Sequence, residues 1–208
     1  QPMLNLKILD PIIRFLVASL GFSTSQYAMN LIGQIAAFAL LALSLDLLWG
    51  FCGILSLGHG LFFAIGGYLV AMHLVKVTFD ATGTPPDFML FMGWDSLPFY
   101  YFQLDSIAYL IVAIAAVTTV VSFVFGYVSF RSRVTGVYFA IITQALVYMV
   151  MLYMFRNDSG FGGNNGMTGF KEIFGMPASG STTAAFLCGG SLATLGLCLY
   201  GCKKLVDS

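Results

Sequence analysis

Long apolar runs without a charged residue are the feature that most limits how this chain can fold. Five such runs occupy 15–45, 47–75, 106–130, 134–155 and 181–202. A helix of about 20 apolar residues crosses the ~30 Å hydrocarbon core of a bilayer. The runs also lack the alternation of polar and apolar residues that marks a membrane β-strand. The sequence therefore predicts an all-α, polytopic integral membrane protein with about five to six transmembrane helices.

The charge composition argues against several other classes of protein. Only 9% of the 208 residues are charged, with nine basic and nine acidic side chains, whereas a soluble domain has about 25%. This balance excludes a nucleic-acid-binding protein, which needs a basic surface. The 20 Phe and 10 Tyr residues exclude intrinsic disorder.

Polar and glycine-rich stretches set the expected limits of the first helices. The polar residues at 23–26 divide the first run into a helix at about 8–22 and a second at about 30–49. The helix at 8–22 contains Arg14 and either spans the membrane or lies in its interface. Six glycines within 50–67 predict a break in the second or third helix.

The Lys and Arg residues predict the orientation of a single transmembrane domain over 1–208. Arg131 and Arg133 lie in a tight turn between two apolar runs, and the positive-inside rule places this turn in the cytoplasm. Alternation of the helices then places the loops at about 76–105 and 156–180 outside the cell. The predicted location is the cell (inner) membrane, with multiple passes.

The motifs of common enzyme and metal sites are absent from the sequence. It contains no GxxxxGK[ST], HExxH or GxSxG motif, and no CxxC spacing. We therefore predict no enzyme activity, no metal site and no cofactor on this chain. The cysteines are interpreted as small apolar side chains: Cys52, Cys188, Cys198 and Cys202.

A few polar side chains within the apolar runs are candidates for a substrate path. Asp46 is costly to bury in lipid when ionised, so it either serves a function or caps the next segment near the inner surface. His59 either lines a pore or acts as a structural donor, and Gln144 either faces a water-filled path or joins two helices. Together with Ser56 and Thr143, these residues form the predicted substrate path.

Small residues suggest two further roles. Gly53, Gly60 and Gly67 are predicted to let helices pack closely. The segment DSGFGGNNGMTG at 158–169 favours turns with positive φ, and it is either a docking surface or gate, or a flexible connector. Its predicted docking or gating residues are Gly162, Gly163, Asn164 and Asn165.

Several motifs of the chain resemble a family of transport proteins. LDLLWG at 45–50, LSLGHG at 55–60 and FFAIGGY at 62–68 resemble the membrane permease of branched-chain amino-acid-type ABC importers. FRSRVTGVYFAIITQAL at 130–146 and FRNDSGFGGNNG at 155–166 resemble the urea-transport branch of that family. The resemblance extends from about residue 30 to the C-terminus.

The resemblance implies a set of partner proteins and an expectation about length. Permeases of this family form a heterodimer with a second permease subunit, and they work with two cytoplasmic ATPase subunits and an extracytoplasmic substrate-binding protein. ATP hydrolysis on a separate chain agrees with the missing phosphate-binding loop. Because such permeases continue into a cytoplasmic coupling loop and further spans, this chain is expected to be an N-terminal portion.

The sequence favours urea or a similar short amide as the substrate. Asp46 fits the urea branch, since the amino-acid branch more often has Asn at that position. Urea is neutral, and the predicted spans contain no Lys or Arg beyond Arg14 to bind the carboxylate of an amino acid. A branched-chain amino-acid permease of the same family remains the alternative, followed by a passive urea channel and a membrane scaffold without transport activity.

Overall fold

The computed structural model describes residues 26–91, 93–134 and 136–206. The predicted helix at about 8–22, including Arg14, lies outside the described residues. Six α-helices follow one another along the described chain. They are α1 (Gln26–Cys52), α2 (His59–Thr82), α3 (Asp87–Phe91), α4 (Ile107–Arg131), α5 (Val137–Met154) and α6 (Ser181–Val206).

All of these helices except α3 are long and apolar enough to cross a membrane. At 1.5 Å per residue their lengths run from about 27 to 40 Å, against a hydrocarbon core of ~30 Å. Many large apolar side chains are exposed, such as Phe123 at 70% and Leu197 at 72%. Apolar surface of this extent is stable against lipid and not against water, so the predicted all-α polytopic fold is confirmed.

The outer end of α2 differs from the expected limit. The loop was predicted from about residue 76, but α2 continues to Thr82. Lys76 forms an ion pair with Asp80 one turn later, so the two charges support the helix. Gly83 then ends it in the left-handed conformation (φ 68°), and its N–H donates to the carbonyl of Phe79.

The described residues form two compact units, of which the first contains α1 and α6. Gln26 Nε2 donates a hydrogen bond to the carbonyl of Ser179 at 2.7 Å, at the start of both helices. Further along, Gly33 faces the backbone of Cys188. The two helices therefore run parallel. Their shared core consists of Ile32, Ala36, Cys188 and Leu195.

The second unit, Leu55–Ala178, contains α2, α4 and α5. Met72 and Val75 of α2 share a core with Leu110 near the start of α4. Gly66, earlier in α2, faces Ile114, later in α4. These two helices therefore run antiparallel, as a connection through one loop requires.

Aromatic rings join α5 to α4. The ring of Phe139 lies 5.6 Å from that of Phe130 and 6.2 Å from that of Phe125. Because the turn between the two helices is short, Phe130 and Phe139 come together directly across it.

The segments between the spans of the second unit are partly ordered into short elements. A two-stranded antiparallel hairpin pairs β1 (Glu172–Ile173) with β2 (Met176–Pro177). Buried His73 of α2 donates a hydrogen bond from Nδ1 to the carbonyl of Leu104. This bond fastens the loop before α4 to the side of α2.

Candidate functional site

The chain between α1 and α2 leaves the helical conformation at 53–58. Gly53 has φ 65°, which glycine adopts without the steric cost that other residues incur. The predicted break does not lie within a helix: α1 and α2 are each continuous, and the glycine-rich region instead contains the connection between them. The second half of this connection, Ser56 to Gly58, belongs to the second unit.

Thr143 of α5 holds the backbone of this junction. The N–H of Leu57 donates to Thr143 Oγ1 at 3.1 Å, while the Thr143 hydroxyl donates to the carbonyl of Ala140 at 2.8 Å. Thr143 is only 3% exposed. Leu57 precedes α2, so its N–H has no acceptor within that helix, and the Thr143 hydroxyl accepts it instead.

Ser56 and Gly58 complete the packing at the junction. Ser56 is buried, and its Oγ accepts a hydrogen bond from the N–H of Gly58 at 3.3 Å. A Cβ on Gly58 would stand 3.0 Å from Thr143 Cβ and 3.3 Å from its carbonyl oxygen. A larger residue at this position would therefore force the junction or α5 to shift by a few tenths of an ångström.

His59 begins α2 directly after this junction. Its Nδ1 is buried and has no hydrogen-bond partner among the described residues. Buried polar atoms in native proteins nearly always have a partner, which can be an ordered water or a ligand. Ser56, His59 and Thr143 all belong to the second unit and lie at or beside this junction, and we call these three residues the junction cluster.

Two predicted path residues are exposed, unlike Ser56 and Thr143. Gln144 follows Thr143 in α5, but its side chain is on an exposed face of that helix. Asp46 is exposed on α1 and belongs to the first unit. A role in the substrate path remains a prediction for all five residues.

The glycines of the predicted docking loop give it a compact shape. Gly162 and Gly163 have φ 81° and 58° and are buried. A Cβ on Gly162 would overlap the carbonyl of Gly166, and one on Gly163 would overlap the side chain of Asn157. Asn164 is exposed, as is Asn165, so the asparagines form the surface of the loop. Docking or gating remains a prediction.

Two tyrosines of the loop before α4 hold the predicted docking loop in place. Tyr100 Oη donates to the carbonyl of Ser159 at 2.6 Å, and Tyr101 Oη donates to that of Gly160 at 3.1 Å. The Tyr100 ring stacks on Phe161 with centroids 5.6 Å apart. These tyrosines were not predicted as functional residues, although the dense aromatic stretch FYYF at 99–102 was a signal.

Burial changes the acidity of both tyrosines. Burial, with a smaller effect from Tyr153, raises the pKa of Tyr100 from 10.0 to about 12. Burial raises the pKa of Tyr101 further still, with Tyr100 as the second cause. Both phenols therefore stay protonated and keep donating their hydrogen bonds at neutral pH.

The glycines predicted to pack helices make no close contacts within the described chain. At Gly53, Gly60 and Gly67 an added Cβ would meet no atom within 4 Å. Packing against another chain remains a prediction for them. The glycine at a close helix contact is Gly33 of α1, where a Cβ would stand 3.4 Å from Cys188 Cα.

Comparison with known proteins identifies the family. The family model for the permease component of the branched-chain amino acid transport system matches residues 27–203. Searches of curated proteins and of solved structures gave no match. The match covers α1 through most of α6, including the junction cluster and the docking loop. The chain is therefore a multi-pass membrane protein of the branched-chain amino acid transport permease family.

Proposed function

We propose that this chain is the membrane-spanning subunit of an ATP-driven importer that moves urea or a similar short amide by alternating access. The family supports a permease, which in general works with ATPase and substrate-binding components. The observation that carries the choice of substrate is the junction cluster. It offers hydroxyl and imidazole groups without charge, and these suit a small neutral molecule that both donates and accepts hydrogen bonds.

The positions of the basic side chains support a neutral substrate. Among the described spans, Lys76, Arg131, Lys203 and Lys204 all lie within about the last two turns of their helices. Lys76 is also paired with Asp80. An amino-acid substrate needs a cation or an open helix N-terminus for its carboxylate, whereas urea needs neither.

The partners follow from the family and from the shape of the outer loop. A second permease subunit completes the transmembrane part, and two cytoplasmic ATPase subunits hydrolyse ATP, so that this chain holds no cofactor. An extracytoplasmic binding protein docks on the exposed asparagines Asn164 and Asn165. The buried glycines Gly162 and Gly163 keep that surface in a fixed shape.

Uptake by the assembled complex tests the proposal. The complex is purified through a tag on this chain, reconstituted in liposomes, and supplied with ATP and labelled urea. We expect ATP-dependent urea uptake that excess acetamide inhibits and excess leucine does not. Leucine uptake that is unaffected by excess urea would establish the branched-chain amino acid alternative. Urea flux through this chain alone, without ATP, would establish a passive channel.

Two variants test whether the polar residues of the spans serve transport. Asp46→Asn and Gln144→Leu should leave assembly of the complex intact and reduce urea uptake. Asp95→Asn is the matched control, because Asp95 is exposed in the loop before α4. If both variants transport as well as the control, the path lies elsewhere or the chain is a scaffold.

A further inference from the structure

A cavity of about 330 Å³ opens in the second unit at the C-terminal end of α2. It lies between the last three turns of α2, the start of α4 and the hairpin β1–β2. Its volume is in the range of pockets that hold small organic groups. The cavity shares no lining residue with the junction cluster.

One side of this cavity is apolar. Leu74 and Val77 of α2, Ile107 of α4 and Phe174 of the hairpin line it. Phe174 has φ 51°, a left-handed conformation that is costly for a bulky residue. The hairpin turn therefore holds the Phe174 ring in the cavity wall despite this steric cost. The centroid of the ring lies 5.9 Å from that of the His73 imidazole.

The other side carries charges of both signs. Asp105, Lys171 and Glu172 line the cavity and are exposed. None of the three forms an ion pair with any described residue. Two carboxylates and one ammonium group thus remain available to a ligand, with an excess of negative charge.

One threonine hydroxyl adds an acceptor on this polar side. Thr78 donates its hydroxyl proton to the carbonyl of Leu74 at 2.8 Å, so its oxygen can accept a hydrogen bond from a ligand but has no proton to give. The Thr82 oxygen already accepts from the N–H and the hydroxyl of Thr84. The polar side suits a ligand with a primary ammonium group.

We propose that this cavity binds the headgroup of a zwitterionic aminophospholipid. The lipid ammonium lies against Asp105 and Glu172, its phosphate against Lys171, and the upper part of an acyl chain along Val77 and Phe174. The position favours a lipid over a soluble zwitterion, because the cavity begins within a membrane span and ends at its last residue, Thr82. The proposal is independent of the transported substrate.

Native mass spectrometry of the full chain in detergent tests this proposal. The probes are phosphatidylethanolamine and phosphatidylglycerol with identical acyl chains, added separately and together. We expect the first phosphatidylethanolamine to bind about threefold to fivefold more tightly than the first phosphatidylglycerol. This is the effect of one or two exposed ion pairs. The double variant Asp105→Asn, Glu172→Gln should abolish this preference. Asp95→Asn, a carboxylate outside the cavity, should retain it.

The measured quantity is the ratio of the two bound lipids in one preparation, so a moderate loss of stability in a variant does not obscure it. Equal binding of the two lipids to the unmodified chain would overturn the proposal. An unchanged preference in the double variant would overturn it as well. Displacement of bound phosphatidylethanolamine by excess free leucine would show that the cavity takes a soluble zwitterion instead.

Discussion

At the scale of single residues, the junction between α1 and α2 depends on the Thr143 hydroxyl. Thr143 accepts the N–H of Leu57 and donates to Ala140 in its own helix. Buried backbone donors nearly always have a hydrogen-bond partner, so irregular backbone packed against a helix needs one.

Replacing Thr143 by Val should destabilise the protein by about 1–3 kcal/mol, since it removes the acceptor of the partly buried hydrogen bond from the N–H of Leu57. Thr143→Ser keeps the hydroxyl and should cost less. The measurement is the free energy of unfolding in mixed micelles, followed by circular dichroism. Equal loss in the two variants would mean that the methyl group, and not the hydrogen bond, stabilises the junction.

The Tyr100 phenol provides a second prediction at this scale, through pH. Its pKa is raised from 10.0 to about 12 in the folded protein. The stabilisation that it contributes is therefore complete below pH 10 and is lost as the pH rises through about 12. Because the pKa of Tyr101 is raised as well, phenolate absorbance should show two tyrosines that ionise late, and Tyr100→Phe should leave one.

Tyr200→Phe is the control for the tyrosine titration. Tyr200 is 69% exposed on α6, so this variant also loses one tyrosine chromophore but keeps Tyr100 and Tyr101. A late absorbance change that still corresponds to two tyrosines in Tyr100→Phe would show that Tyr100 is not one of the two.

At the scale of elements, α1 and α6 approach each other closely at Gly33, where only a small side chain fits. A Cβ on Gly33 would stand 3.4 Å from Cys188 Cα and 3.6 Å from Ser191 Oγ, so Ala fits at ordinary contact distance and larger side chains do not. Such small residues are a usual basis of helix association in lipid.

Gly33→Leu should therefore separate the two helices and lower the free energy of unfolding by about 1–3 kcal/mol, the usual cost of overpacking. Gly190→Leu on α6 is the matched control, because no described atom lies within 4 Å of its added Cβ. The measurement is denaturant unfolding in mixed micelles. If the control variant loses as much stability, the size of the new side chain and not its position is responsible.

At the scale of the whole molecule, the relative directions of the helices agree with the predicted orientation. Alternation across the membrane requires α1 and α6 to run the same way and α2 and α4 to run in opposite ways. Both relations hold, each within its own unit.

Cysteine labelling tests the absolute orientation. In a chain whose native cysteines are replaced by Ser, Asn164→Cys should react with a membrane-impermeant maleimide on intact cells. Ser132→Cys, in the turn next to Arg131 and Arg133, should react only after the membrane is permeabilised. The reverse pattern would show that the positive-inside rule fails for this chain.

Much of the fold could be predicted from hydropathy alone. The charge-free runs predicted the five long helices, whereas the break expected within a glycine-rich helix is instead the connection between α1 and α2. The end of α2 was predicted too early, because Lys76 and Asp80 read as the start of a loop when taken separately. The two residues can form an ion pair only if the chain between them is helical, and the sequence alone does not show that it is.

The candidate site was predicted less completely. Thr143 and Ser56 meet at the junction, whereas Gln144, which was predicted for the same substrate path, lies on an exposed face of α5. Adjacent positions on a helix differ by about 100°, and the sequence does not state which of the two faces inward. Gly33 was missed for a similar reason, since one glycine in an apolar helix looks like any other until its neighbour is known.

The sequence by itself determined that this chain spans a membrane and belongs to a permease family, because charge-free length and local motifs are properties of consecutive residues. Tertiary structure alone decided which polar groups are buried together, which glycines permit contact, and where Asp105, Lys171 and Glu172 surround a cavity. Those relations depend on side-chain direction and on distances between segments far apart in the chain, and a linear pattern does not contain them.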